Sequence, residues 1–220
     1  MKQNITLFYR ILIYALGLFF MAVGVAFSVN SSLGVSPVNS LPYVISLILN
    51  TDMGICVTSV FSIYVLVQII IKRSQFRLID LTQLLFSALF GYFVDFAKWI
   101  VGDFILPGYI GQMTLLIISM LFVAVGLSLY LGVKLVNMPM EGMTLAISQC
   151  FPLIPFHKVK IIVDCSAVAV GITLSFLFLG RLQGIREGTV LSALLTGRLL
   201  PLAQKPILPI VRRVCFEKEI

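Results

Sequence analysis

Glu141, Asp164 and Lys160 are ionisable residues set within or beside strongly apolar sequence. Glu141 lies two positions after Pro139 in Lys134-Leu135-Val136-Asn137-Met138-Pro139-Met140-Glu141-Gly142-Met143-Thr144, a polar interruption between hydrophobic stretches. A charged side chain at membrane depth costs about 2.5–3.5 kcal/mol on insertion scales, so carriage of a proton or cation is the first reading. The structural alternative is that an acid in a helix's first turn complements backbone donors and the helix dipole. Asp164 follows Lys160 by one helical turn, about 6 Å along the axis. It either faces a pathway or pairs with Lys160.

A second interruption reads Asn30-Ser31-Ser32-Leu33-Gly34-Val35-Ser36-Pro37-Val38-Asn39-Ser40. Gly34 permits strained backbone, Ser36 suits an N-cap, and Pro37 fits the first helical position. A short helix is predicted from here to about Leu49. Its free N–H groups carry partial positive charge and need protein, water or ligand as partners. Gly34, Ser36, Pro37, Asn39, Asn137, Pro139, Glu141 and Thr144 are therefore the candidate substrate-binding residues. Glu141 and Asp164 are the candidate coupling or proton sites.

The elements that must position these residues are membrane helices. Of the 220 residues, 60% are hydrophobic and 11% charged, and mean hydropathy is +1.08; soluble domains carry roughly 25% charged residues. The net charge of +7 takes its meaning from its distribution between loops, and no basic run interleaved with aromatics points to nucleic acid. Six stretches are long and apolar enough to span: about 11–29, 55–71, 81–101, 113–133, 159–180 and 187–201, the last the shortest. The first could be a secretory signal cleaved near Ala26-Phe27-Ser28, but its length favours an uncleaved helix. Stretches 38–49 and 140–152 are too short to span and read as re-entrant or broken helices.

Loop charge sets the orientation. With six spans and a cytoplasmic N-terminus, Lys2, Arg10, Lys72, Arg73, Arg77, Lys134, Lys158, Lys160, Arg198, Lys205, Arg212, Arg213 and Lys218 fall inside, and Lys98, Arg181 and Arg186 fall outside. Counting the short stretches as spans would push Lys72, Arg73 and Arg77 outside, against the positive-inside rule. The chain also nearly repeats itself. Phe20-Met21-Ala22-Val23-Gly24 returns as Phe122-Val123-Ala124-Val125-Gly126, Pro37 as Pro139, and Ser87-Ala88-Leu89, slightly out of step, as Ser192-Ala193-Leu194. Three spans per half make the second copy enter from the opposite side. The expected architecture is an all-α polytopic membrane protein: six transmembrane helices plus two short re-entrant or broken helices, in two inverted repeats of about 8–101 and 112–203. A basic cytoplasmic tail, 204–220, completes a single membrane domain.

Other groups carry less. Cys56, Cys150 and Cys165 lie in or beside apolar segments and Cys215 in the tail, which fits buried free thiols. His157 with Cys150 and Cys165 lacks a compact ligand spacing, so no metal is expected. Asp95 and Lys98 are spaced for a local ion pair beside Trp99, as in interfacial anchoring. Gln68, Gln83 and Gln149 are candidates for interhelical hydrogen bonds. Gly184-Ile185-Arg186-Glu187-Gly188-Thr189-Val190 is either an outer gate or a polar turn with a helix cap. No hydrolase, metalloprotease or phosphate-loop motif occurs, and neither an enzyme nor a cofactor is expected.

Leu33-Gly34-Val35-Ser36-Pro37, Pro139-Met140-Glu141-Gly142, Lys160 to Asp164, and Arg186-Glu187-Gly188-Thr189 with its continuation to Gly197 together resemble the YczE/YyaS/YitT group of bacterial membrane proteins. The resemblance covers nearly the whole chain and implies a small polytopic protein of the bacterial cytoplasmic membrane. It looks like a short form without the soluble C-terminal domain of YitT-like members. Asn39 stands where many relatives carry an acid.

Two functions follow. One is a secondary transporter or small channel for a small polar solute or ion, bound between the broken helices near the midplane. The other is a non-transporting membrane subunit for assembly, regulation or substrate capture, as a homodimer or with a partner membrane protein, docking through small-residue faces such as Gly17 to Gly24 or Gly171 to Gly180.

Overall fold

The structure is a computed structural model that describes residues 2–73, 76, 78–154 and 156–216; within these, the side chains of 2–6, 78, 79, 156, 157, 194 and 196–198 are not described. Arg77 and Lys218, and the side chains of Lys2, His157, Leu194, Thr196 and Arg198, thus lie outside the described residues. The regular elements described are helical, in the order α1 (Lys2–Asn30), α2 (Pro37–Leu49), α3 (Met53–Lys72), α4 (Thr82–Val101), α5 (Gly108–Val133), α6 (Pro139–Cys150), α7 (Phe156–Leu179) and α8 (Glu187–Cys215). A short 3-10 turn, Leu78–Leu81, precedes α4.

Five of these helices contain a stretch long and apolar enough to cross a membrane: Leu7–Asn30, Met53–Lys72, Thr82–Val101, Gly108–Val133 and Lys158–Leu179. The sixth expected span, 187–201, falls within α8. α8 is not among the spans found in the described residues; four of its side chains, 194 and 196–198, lie outside them, and it carries Pro201, Pro206 and Pro209. Residues 204–215, read from sequence as part of a tail, continue α8 as helix. Both short stretches are helical and begin at Pro37 and Pro139, each in the first turn. At 1.5 Å per residue they reach roughly 20 Å, less than the roughly 30 Å of a bilayer core.

The centre of the bundle is the pairing of α1 with α5. Gly24 packs on Ser119 and Val123, Gly17 on Gly126 and Tyr130, and Arg10 on Val133. Partner numbers fall as those of α1 rise, so these helices run antiparallel. The approach depends on missing side chains: a Cβ at Gly17 would lie 2.9 Å from the Gly126 carbonyl, and one at Gly126 2.6 Å from that of Gly17. Phe20 stacks on Phe122, its counterpart in the repeat, at 5.6 Å. α4 lies parallel to α1, through Tyr14 on Phe86 and Phe19 on Phe93. α8 lies parallel to α5, through Gly188 on Leu116 and Leu208 on Gly132.

Each short helix crosses to the other half, α2 packing on α7 and α6 on α3. Of the small-residue positions suggested for docking, Gly17 and Gly24 face α5 and Gly171 faces Ile185 and Leu41, whereas Gly180, just after α7, is exposed with open space beside it. Further corrections concern individual side chains. Asp95 accepts from the Gly54 N–H at 2.9 Å, satisfying a first-turn donor of α3. No Asp95–Lys98 ion pair forms among the described residues. Cys56 and Cys215 are buried, whereas Cys150 and Cys165 are exposed; all four are free thiols. Gln149 is exposed rather than interhelical.

Candidate functional site

The second break begins where α5 ends in left-handed Lys134, φ +53°. Arg10 closes that end: its Nη2 donates to the carbonyls of Val133 at 3.1 Å and Lys134 at 3.2 Å. The Tyr14 hydroxyl donates to the Val136 carbonyl at 3.1 Å. The start of α6 is held from another side by a buried amide pair. Gln68 Nε2 donates to Gln83 Oε1 and to the Pro139 carbonyl, both at 3.0 Å, and Gln83 Nε2 donates back to Gln68 Oε1 at 3.3 Å. α1 thereby holds the backbone leading into α6, and Gln68 of α3, backed by Gln83 of α4, holds the first turn that carries Glu141.

Lys160 is the centre of the charged group. Its Nζ lies 3.3 Å from Asp164 Oδ1 and 3.9 Å from Glu141 Oε1, and all three side chains are largely shielded. Glu141 Oε2 is buried without a hydrogen-bond partner, as are the hydroxyls of Tyr64 and Tyr130. Both acids act electrostatically on the Tyr64 hydroxyl, and Glu141 also acts on those of Tyr14 and Tyr130. Such a group can hold a proton, exchange it between carboxylates, or take a cation.

The first break begins the same way, α1 ending at Asn30 before left-handed Ser32, φ +55°. Here the closing arginine is Arg186, whose Nη1 donates to the Ser32 carbonyl at 3.1 Å. The chain around it forms a backbone clasp: Val35 N–H donates to the Gly184 carbonyl at 3.0 Å, and Gly188 N–H to the Leu33 carbonyl at 2.8 Å. Gly34 passes so close that a Cβ would meet Thr189 Oγ1 at 2.5 Å, and its φ of +103° disfavours any other residue. Ser36 is at the N-cap position but makes no side-chain capping bond. Its hydroxyl instead accepts from Asn39 Nδ2 at 3.0 Å, leaving the buried Asn39 Oδ1 without a partner.

Residues 8–205 match a family of unknown function, DUF6198. The chain belongs to this family. No curated protein and no solved structure matches it significantly. The family match does not itself point to the YczE/YyaS/YitT group that the motifs resemble.

For this DUF6198 member, the candidate residues separate into two sets. Glu141 and Asp164 meet through Lys160, with Pro139 above them on the glutamine pair; Gly34, Ser36, Pro37 and Asn39 form the other set. No hydrogen bond or ion pair joins the two sets among the described residues. Asn137 is exposed, and the buried Thr144 hydroxyl donates to the Met140 carbonyl of its own helix at 2.7 Å. In the sequence Lys160 is both one of the inner-side charges and the pairing candidate for Asp164, whereas the tyrosines do not stand out. The spacing to Asp164 was the available signal for Lys160; nothing local pointed to Tyr14, Tyr64 or Tyr130. Lys160 with Asp164 realises the pairing alternative, and its second contact brings in Glu141.

Proposed function

We propose that this protein is a secondary transporter or small channel of the bacterial cytoplasmic membrane, with Glu141, Lys160 and Asp164 as its proton or cation site. The observation that carries this reading is Lys160 set between two carboxylates, one with a buried oxygen lacking any partner. A buried charge group with spare acceptor capacity adds little stability, so its presence favours function. The protein is read as six spans, α8 being the sixth, in two inverted repeats with both termini cytoplasmic. Antiparallel α1 and α5, and α8 lying beside the length of α5, support this arrangement. The exchanged packing of α2 and α6 supports it as well. Kinship with the YczE/YyaS/YitT group rests on the shared motifs.

Cysteine accessibility tests the pathway. In a variant with Cys56, Cys150, Cys165 and Cys215 replaced by serine, single cysteines are placed across 34–40 and 136–142. Asn137→Cys is expected to react with a membrane-impermeant thiol reagent from the cytoplasmic side, and Ser36→Cys from the opposite side. If both stretches are unreachable from either side, the transport reading fails.

A further inference from the structure

We propose that the substrate is an amphipathic organic monocation, its cationic head at Tyr64 and the two carboxylates and its apolar body in the adjoining cavity. The inference rests on the transporter reading and names the substrate class of that site.

A cavity of about 430 Å³ lies between α2, α3, α6 and α7, lined by Leu41, Tyr64, Met143, Ile147, Val163 and Ala167 among others. That volume suits a small organic molecule rather than a bare ion. The charged group neighbours it along α7. Val159 and Val163 line the cavity, and Lys160 and Asp164 are their immediate successors on α7. Tyr64 belongs to both regions: it lines the cavity, and its unpartnered hydroxyl feels both Asp164 and Glu141.

Charge decides the sign of the ligand. The group holds two carboxylates and one ammonium, and Lys160 and Asp164 are the charged groups that act on Glu141 among the described residues. With all three ionised, one negative charge is left over. A monocation neutralises it and can use the Tyr64 ring face, whereas an anion would add to it. The apolar lining selects the rest of the molecule, since a sugar or amino-acid backbone would leave polar groups unpaired there. Phe151, Ile162 and Ser166, exposed on the outer side of the cavity, open it toward the surface of α6 and α7.

The test is direct binding to the full chain in phosphatidylcholine nanodiscs, using 4-phenylbutylamine, 4-phenylbutanol and 4-phenylbutyrate, which share a body and differ in head group. The amine is expected to bind at least about tenfold tighter than the alcohol, and the carboxylate weakest. Glu141→Gln should bring the amine down to the level of the alcohol, and Ser166→Phe, at the cavity's rim, should weaken both. If Glu141→Gln does not fold, Asp164→Asn serves for the head group. Equal binding of amine and alcohol would overturn the proposal and make the cavity a seat for a lipid chain. Preference for the carboxylate would overturn it too. Should the breaks prove water-accessible while the amine fails to bind, the transporter reading stands and this substrate class falls. Amine binding with inaccessible breaks would leave the binding site standing but overturn the transporter reading, and with it the amine's role as substrate.

Discussion

The two breaks share a backbone plan and differ in what it carries. In each, a long helix ends before a left-handed residue, Ser32 or Lys134, an arginine donates to that residue's carbonyl, and a proline opens a short helix. Behind the first proline stands Asn39, bonded to Ser36 within its own turn. Behind the second stands Glu141, tied through Lys160 to Asp164 on another helix. The first break is held mainly by backbone hydrogen bonds to the segment before α8, and the second by side chains from α1, α3 and α4. Two breaks with one backbone plan thus differ in charge, the first carrying an amide and the second a carboxylate. The charge is what makes the second break a candidate for chemistry.

The largest predicted effect breaks the charged side. Lys160→Met leaves two carboxylates facing each other without a cation, and a loss of about 3–5 kcal/mol is expected. Adding Glu141→Gln and Asp164→Asn should recover most of it, and thermal unfolding of the purified variants reads the difference. If Lys160→Met unfolds like wild type, the three groups are not coupled. Next in size is the attempt to make the breaks alike. Asn39→Glu puts a carboxylate where the side-chain partner is the Ser36 hydroxyl, and about 2.5–3.5 kcal/mol should be lost. An unchanged stability would show that the first break tolerates charge as well as the second. The smallest effect concerns the clasp. Arg186 and Glu187 form an exposed ion pair at 3.0 Å, so Arg186→Ala should cost under about 1 kcal/mol, chiefly through the bond to Ser32. A much larger loss would mean that side chains rather than backbone hold the first break.

Much of this was legible from local sequence. The run of apolar segments, the short helices starting at Pro37 and Pro139, and the repeat between Phe20 and Phe122 are written in composition and in residues that stop or start helices. Glu141 was visible as an acid in apolar surroundings, and Asp164 as the fourth residue after Lys160. Gln68 and Gln83 were legible as interhelical hydrogen-bond candidates, though not as each other's partners. The partner of Glu141 was not, because nineteen positions separate it from Lys160 and no helical period links them. The role of the Arg186-Glu187-Gly188-Thr189 segment was equally hidden. Its capping could be read locally, but its clasp on 32–35 spans more than 150 residues of sequence.

Sequence by itself determined the apolar helices, their interruptions and the positions of the charges, because helix length, hydrophobicity and proline stops are properties of neighbouring residues. Tertiary structure alone decided which charges meet and which break they serve. The close approach of α1 and α5 at Gly17 and Gly126, and the crossing of α6 onto α3, arise from packing between residues far apart in the chain. That packing sets Lys160 between Glu141 and Asp164.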